Sequence, residues 1–389
     1  MKVPTDGKAK TILFPTIVDD IHATAVELAL REMGHRPVRW LTSNLPERAK
    51  CHINFNEEGL NGLAISDYFG EVKLADIDVF WNRRIGAPVI TTRLDESDGK
   101  VVKIETERFL ANMLLCVSES CFSVNDYYAA KRAENKAVQL WKAKSVGLSI
   151  PSTIITNSPE RIRSFIGQHS PGEVVVKPFM PAMWQTDHDV AIAFTATVTT
   201  EQLPPDGILQ VAPAIYQRRV EKAYELRVTC MGQHALAARL DSQSVDGAEN
   251  DWRSVAPRDL KIVPVMLPIE IERKCFALME ELGIVFGSFD FIVTKTGDYV
   301  FLEVNQMGQF LWIEEANPEI PMLQSFCAFL GGASRKFQGA PAVGCPSFAA
   351  VRSEALKCYK QDLKTHLVAE NLAYVYSEGQ PAPRSAASV

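Results

Sequence analysis

Gly287-Ser288-Phe289-Asp290-Phe291-Ile292-Val293 and Tyr299-Val300-Phe301-Leu302-Glu303-Val304-Asn305 are two apolar runs on either side of Lys295-Thr296-Gly297-Asp298. β-Formers flanking a glycine-containing tight turn predict a β-hairpin. With the turn at Thr296-Gly297, Lys295 faces Asp298, Val293 faces Val300 and Asp290 faces Glu303. Strand alternation puts Asn305 on the face of Glu303. One face of a mostly apolar hairpin then carries an Asp, a Glu and an Asn together. Buried carboxylates that close repel each other unless a cation sits between them. Oxygen ligands on a rigid surface suit Mg²⁺, which commonly serves phosphate chemistry. The alternative is an exposed polar face without a ligand, and the neighbouring Phe, Ile, Val and Leu argue against it.

The 389 residues carry 47% hydrophobic and 23% charged side chains with a net charge of −6, the profile of a globular protein with room for two or three compact units. Mild acidity points to neither nucleic acid nor a membrane surface. No apolar stretch reaches the roughly 20 residues a membrane span needs. Residues 11–18, interrupted by Pro15 and ended by Asp19-Asp20, read as a first strand and not as a signal peptide. Cys51, Cys116, Cys121, Cys230, Cys275, Cys327, Cys345 and Cys358 are scattered, without a Cys-x-x-Cys pair. They read as reduced thiols of a cytoplasmic protein, forming neither a disulfide framework nor a metal site.

Outward from the hairpin, the chain opens as a βαβ unit. Its strands cover residues 11–18 and 37–41, and its helix is capped by Asp19 or Asp20 and stopped by Gly34. A strand over 76–81 ends in Asn82-Arg83-Arg84, and a helix covers 106–116. One long helix is expected over 129–146. A small α+β unit follows, with strands over 152–156, 174–176 and 191–198 and a helix from Ser158 to near Gln168. Further strands are expected over 207–211, 225–231 and 235–240, a helix over 268–282 before the hairpin, and a last helix over 321–330. Past Gly331 the composition turns to Gly, Ala, Pro and Ser. A helix over 357–370 has no evident role, and residues from 379 onward read as disordered.

Lys177 emerges from the buried run Val174-Val175-Val176, where it is poorly solvated unless an anion meets it, and phosphate is the natural partner. Lys136, taken alone, reads as part of a solvated helix face. The run from Gln210 through Gln217, Arg218, Arg219 and Val220 to Glu225 offers backbone groups for an adenine edge and a carboxylate for ribose hydroxyls. It reads equally well as a surface crossover salt-bridged among Arg218, Arg219, Glu221 and Glu225. Arg253, in the polar loop after Asp251-Trp252, offers a clamp for a terminal phosphate; a plain exposed arginine is the alternative. His188, between Asp187 and Asp189, reads as a loop residue outside the site. Trp184, Trp252 and Trp312 read as packing residues, with a place flanking a peptide substrate as the alternative. No catalytic Ser/His/Asp order, nucleophile elbow, Walker loop or Gly-x-Gly-x-x-Gly after a strand is present.

In order, these pieces resemble the ATP-grasp superfamily, and within it the microviridin-type (graspetide) peptide maturases, relatives of the RimK-type ligases. The resemblance runs from about residue 125 to 330. It rests on Lys131-Arg132-Ala133-Glu134-Asn135-Lys136, Val174-Val175-Val176-Lys177-Pro178, Glu225-Leu226-Arg227-Val228-Thr229, Asp241-Ser242-Gln243, Asp251-Trp252-Arg253, and Phe301-Leu302-Glu303-Val304-Asn305 through Glu314. Trp81-Asn82-Arg83-Arg84 is similar to an element of that family's first domain.

The resemblance implies an α/β (α+β) ATP-grasp fold. A pre-ATP-grasp βαβ domain would span residues 1–125, a lid subdomain 126–207, a central antiparallel-sheet subdomain 208–331 and a partly disordered extension 332–389. It implies that Lys136 and Lys177 hold ATP phosphates, that Gln217, Arg218, Arg219 and Val220 line the adenine, and that Glu225 holds the ribose. Asp290, Glu303 and Asn305 would carry a pair of Mg²⁺ ions, and Arg253 and Lys177 would act on the transferred phosphate. The implied reaction activates an Asp or Glu side chain of a ribosomal precursor peptide, with leader and core, as an acyl phosphate. A hydroxyl or amine then closes an ω-ester or ω-amide. A homodimer is implied as well. The residue types agree with that chemistry, because phosphoryl transfer needs positioning and charge neutralisation more than a protein nucleophile. A ligase adding free amino acids to a peptide or small acid, and a nucleotide-binding module without turnover, are the alternatives.

Overall fold

The first strand ends at Thr16, and Asp20 caps the first helix, its side chain accepting a hydrogen bond from the Ala23 N–H. The resulting unit is the expected βαβ: β1 (Thr11–Thr16), α1 (Ile21–Glu32) and β2 (Arg36–Leu41), with β1 and β2 parallel. The computed structural model describes residues 9–179, 183–185, 190–192, 195–246, 252–339, 344–368 and 384–385. An antiparallel meander of β3 (Lys50–Asn56), β4 (Gly59–Asp67) and β5 (Gly70–Lys73) is inserted next. Then β6 (Val79–Trp81), α2 (Glu96–Ser120) and β7 (Phe122–Val124) complete a parallel sheet of order β2-β1-β6-β7. The short β6 delivers Asn82-Arg83-Arg84 to the C-terminal edge of this sheet, where ligands of open α/β folds bind.

The single helix expected over residues 129–146 is two: α3 (Tyr127–Ala133) and α4 (Lys136–Ser145). Asn135 leaves the helical region at φ −76°, ψ 108°, and its side chain caps the Val138 N–H. An asparagine inside an amphipathic stretch competes with the helix it interrupts, and here it restarts it. Lys136 therefore sits in the first turn of α4.

A second unit comprises β8 (Thr153–Thr156), α5 (Pro159–Gly167), β9 (Val174–Lys177), β10 (Met183–Gln185), β11 (Val190–Ile192), β12 (Ala196–Thr197), α6 (Asp206–Val211) and β13 (Ala214–Arg218). Its antiparallel sheet has the order β12-β9-β13-β8. Ile162, Phe165 and Ile166 of α5 pack with Val174, Leu209 and Tyr216. The strand expected over 207–211 is instead α6, with Pro205 before it and Asp206 in its first turn; the strand follows three residues later as β13. β13 pairs with both β8 and β9, so this sheet continues past residue 207. Most of the loop over 178–189, His188 included, lies outside the described residues.

The largest sheet is antiparallel, of order β16-β15-β14-β17-β18. It is made by β14 (Tyr224–Met231), β15 (His234–Leu240), β16 (Ile262–Val265), β17 (Phe286–Val293) and β18 (Tyr299–Asn305), with α7 (Ile269–Leu282) preceding the hairpin. Leu226, Val228, Phe289, Phe291, Phe301 and Val304 pack against Cys275, Leu278 and Leu282 of α7. Alternation turns Glu225, Arg227, Thr229, Ser288, Asp290 and Glu303 to the other face.

The hairpin register is right around the carboxylates and shifted near the turn. Asp290 pairs with Glu303 as expected, but Val293 pairs with Tyr299, not Val300. The connection is a wider turn closed by Thr294 N–H to the Asp298 carbonyl at 3.0 Å, and a bulge beside Asp290 and Phe291 restores the outer register. A bulge inserts one residue on one strand only, which is why the two shifts cancel.

The chain then forms α8 (Leu311–Ala316), α9 (Met322–Gly332) and α10 (Phe348–Thr365), with β19 (Arg384–Ser385) beside β11. α10 starts well before the expected residue 357 and is no loose extension. Its Phe348, Val351 and Ala355 join one core with Ala25, Ala29 and Phe326. Arg39 of β2, nearly buried, bridges Glu27 of α1 at 2.5 Å and Asp362 of α10 at 2.6 Å. Apart from residues 384–385, the tail expected to be disordered lies outside the described residues. Among the described residues no helix is long and apolar enough to cross a membrane.

Candidate active site

Asp290 and Glu303 stand opposite each other on β17 and β18, and Arg227 stands opposite Asp290 on β14. The Arg227 guanidinium, 3% exposed, donates through Nη1 to Asp290 Oδ1 at 2.7 Å. One Arg253 nitrogen, Nη2, donates to both Asp290 Oδ2 at 2.9 Å and Glu303 Oε1 at 3.1 Å. Lys136 Nζ reaches the other Glu303 oxygen at 2.6 Å. The carboxylates thus converge on one cationic nitrogen. Burial raises the Glu303 carboxyl and Lys136, then Arg253, lower it further, so it ends near a pKa of about 2. Lys177 adds to that lowering. Four cations face two carboxylates, a balance suited to a polyphosphate.

Local sequence explains the convergence. Lys136 is aimed by α4, which is tied to β18 through Gln139: its Nε2 donates to the Val304 carbonyl and its Oε1 accepts from the Val304 N–H, both at 2.9 Å. Trp252 stacks on Trp312 with centroids 4.5 Å apart, and the Arg253 guanidinium lies 5.0 Å over the Trp252 ring. That stack holds the arginine over the hairpin. Asp251 lies outside the described residues.

Asn305 is placed beside this pair but is used differently. Its Oδ1 accepts from the Met307 and Gly308 N–H groups at 3.0 and 3.1 Å, closing the turn after β18. To ligate a metal it would have to release those bonds. Asp290 and Glu303 suffice to define a cation position: hard divalent ions take carboxylate oxygens, and both side chains already share one positive nitrogen. These two residues would hold Mg²⁺, with Asn305 at the rim. Among the described residues no three His, Cys, Asp or Glu side chains cluster to hold a metal.

On the β8–β9–β13 sheet, Lys177 Nζ donates to Gln217 Oε1 at 2.8 Å, and Gln217 Nε2 donates to Thr153 Oγ1 at 2.9 Å. Gln217 is therefore a strut for the lysine. Arg218 and Arg219 already spend their N–H groups on the Ser152 and Glu173 carbonyls at 2.8 and 2.7 Å. Glu225, buried, pairs with the buried Lys222. Glu221 meets Lys295 at 3.5 Å, so the crossover does carry salt bridges, with lysines and not Arg218 or Arg219 as the partners.

The structure adds residues that pattern reading passed over. Arg227 was visible only as part of a motif; its role follows from cross-strand register. The turn after β18 is gripped from the first domain. Fully buried Arg83 binds Asp20 through Nε at 2.9 Å and the Met307 and Gly308 carbonyls through Nη1 at 2.7 and 3.1 Å. His22 Nε2 accepts from the Phe310 and Leu311 N–H groups at 3.2 and 3.1 Å. Burial, then the Arg83 charge, push the His22 imidazole down to about 3, which keeps it neutral and able to accept. Asn125 donates to the Phe286 and Gln306 carbonyls and accepts from the Val285 and Phe286 N–H groups. Gly308, at φ 54°, runs against Phe286, whose ring carbon lies 2.4 Å from where a Cβ would stand.

No protein-family model matches the chain, and no curated protein matches it. Solved structures do. A RiPP-associated ATP-grasp ligase from Chryseobacterium gregarium, in complex with ADP and a leader and core peptide, is 27% identical over 85% of this chain and 99% of that one, with a TM-score of 0.76. The macrocyclase MdnC from Microcystis aeruginosa MRC, bound with precursor peptide MdnA, is 26% identical over 83% and 99%, with a TM-score of 0.72. The macrocyclase MdnB of the same source is 27% identical over 82% and 99%, with a TM-score of 0.68. The fold is thus the ATP-grasp fold and the protein an ATP-grasp ligase. Within the superfamily it is related to the graspetide maturases.

Proposed function

We propose that this ligase uses ATP to activate an Asp or Glu side chain of a ribosomal precursor peptide and then closes an ω-ester or ω-amide within that peptide. The observation that carries the reading is the convergence of Asp290 and Glu303 on one cation position, ringed by Lys136, Arg227 and Arg253. Kinship with ligases solved with ADP and with precursor peptides supplies the substrate class. A peptide carboxylate oxygen attacks the γ-phosphorus, the bond to the bridging oxygen breaks, and ADP leaves. A Ser, Thr or Lys side chain then attacks the acyl-phosphate carbonyl, loses its proton, and expels phosphate. The net change in the peptide is the loss of one water.

Lys136 and Lys177 are the phosphate ligands in this reading, and Arg253 moves from the carboxylates to the phosphoryl group. Glu303, held ionised, keeps the cation position negative. Mg²⁺, when bound, neutralises the phosphate oxygens. Glu225, in β14, is the ribose ligand in this reading, with Gln217 to Val220 lining the base. Activity as a homodimer in the cytoplasm belongs to the same proposal, without nucleic acid or membrane.

The test is incubation with ATP, Mg²⁺ and an acidic Ser/Thr-rich peptide encoded beside this gene, read by mass spectrometry. Loss of water with matching ADP release is expected. A gain of one amino-acid residue would reassign the enzyme to amino-acid addition, and ATP binding with no ADP release would leave a binding module.

A further inference from the structure

The Gln309 carbonyl, in the turn after β18, accepts from Arg227 Nη2 at 3.2 Å and from Trp312 Nε1 at 2.8 Å, which uses both lone pairs a carbonyl offers. We propose that Gln309 is a positioning residue of the ligase: through this one oxygen it aims both arginines that bond Asp290, and Arg83 of the first domain holds it in place; this rests on the reading above. A residue of the first domain thereby sets the geometry of a site built on the largest sheet.

Each arginine has its own path to that oxygen. Arg227 puts Nη1 on Asp290 Oδ1 at 2.7 Å and Nη2 on the Gln309 carbonyl, and two bonds from separate nitrogens fix the plane of a guanidinium. Arg253 sits on a loop, and its path is longer. Its guanidinium lies over Trp252, Trp252 stacks on Trp312 at an interplanar angle of 24°, and the Trp312 N–H bonds Gln309. A hydrogen bond at its polar edge anchors an indole that stacking alone leaves free to slide. The oxygen is held in turn from the first domain. Fully buried Arg83 donates through Nη2 to Gln309 Oε1 at 3.2 Å and through Nη1 to the Met307 and Gly308 carbonyls, while Asp20 accepts from its Nε at 2.9 Å. One guanidinium thus pins three successive residues of the turn. Of the three, Gln309 offers its side chain to Arg83 and its backbone oxygen to the site.

The experiment uses the full-length enzyme and its Gln309→Met and Gln309→Glu variants, because Gln309 is half-buried and tolerates exchange better than fully buried Arg83. Met keeps the reach and removes the acceptor; Glu keeps the acceptor. ADP release with ATP and an acidic Ser/Thr-rich peptide is measured beside the near-ultraviolet circular dichroism of the stacked indoles, assigned by its loss in Trp312→Phe. Gln309→Met should lower kcat by about ten- to a hundredfold, the scale of a displacement of about 1 Å at a reacting centre. KM for ATP should stay within about threefold, because Lys136 and Lys177 are carried by α4 and β9. The indole signal should shrink in Gln309→Met, and Gln309→Glu should recover the signal and most of kcat. Unchanged kcat and signal in Gln309→Met would overturn the proposal, as would a Gln309→Glu variant as impaired as Gln309→Met, or a KM for ATP that rises as far as kcat falls. If wild type turns over no peptide, the ligase reading fails on its own, and the indole signal still decides whether Gln309 holds the stack.

Discussion

Replacing Arg227 by Met tests whether the candidate site is built around a buried charge pair. The arginine side chain is 3% exposed and its partner Asp290 10%. The substitution removes a charge-assisted bond of 2.7 Å, worth about 1.5–3 kcal/mol, and a 3.2 Å bond to the Gln309 carbonyl, worth about 0.5–1.5 kcal/mol. It also removes a buried charge, whose desolvation cost is recovered. Asp290 keeps Arg253, so the loss stays below the roughly 3–5 kcal/mol of a fully orphaned buried ion. The net expectation is about 2 kcal/mol of destabilisation in urea unfolding followed by tryptophan fluorescence. Combined with Asp290→Asn, the loss should be less than the sum of the single variants by about 1.5 kcal/mol. Additive losses, or an Arg227→Met change below about 0.5 kcal/mol, would refute the pairing.

Three further outcomes follow from the same geometry. Lys136→Met removes the 2.6 Å partner of Glu303 and should lower kcat/KM for ATP by about a hundredfold or more in a coupled ADP-release assay, with the fold retained by circular dichroism. Asn135→Ala deletes the cap that starts α4, and should cost about 1 kcal/mol in denaturant unfolding while raising KM for ATP more than it lowers kcat. His22 has its folded pKa depressed from 6.5 to about 3, so the unfolded chain binds the extra proton. Its contribution is whole above pH 6.5 and is lost on acidification toward pH 3, by at most about 1.4 kcal/mol per pH unit. His22→Gln should flatten the stability difference between pH 7 and pH 5 relative to wild type; an unchanged difference would mean the imidazole titrates normally.

Alternation and capping placed the strands and helices that bear the candidate site, but no expectation covered the β3–β5 meander, β16 or α8. They failed where two local rules competed. Asn135 lies in a run whose apolar period continues through it, so pattern alone fuses α3 and α4; only the backbone turn of the cap separates them. Residues 207–211 have strand-like side chains but sit after Pro205 with Asp206 in the first turn, and form a helix. The hairpin was read one residue off near its turn because a bulge leaves no clear mark in composition.

Asp290, Glu303 and Lys177 could be picked from the chain because a charged residue in an apolar strand, or at its end, is costly unless it meets an opposite charge, whereas Lys136, on a helix, was singled out only by the family resemblance. Their partners could not. Arg227 faces Asp290 across a strand pair, Lys222 rather than Arg218 or Arg219 answers Glu225, and Asn305 turns its amide to its own backbone. The same holds for Arg83 and His22, which lie more than two hundred residues from the turn they grip. Burial cost acts on a single side chain and so shows in one dimension, whereas neutralisation depends on distance in space, which exists only once the sheets have paired and the domains have closed.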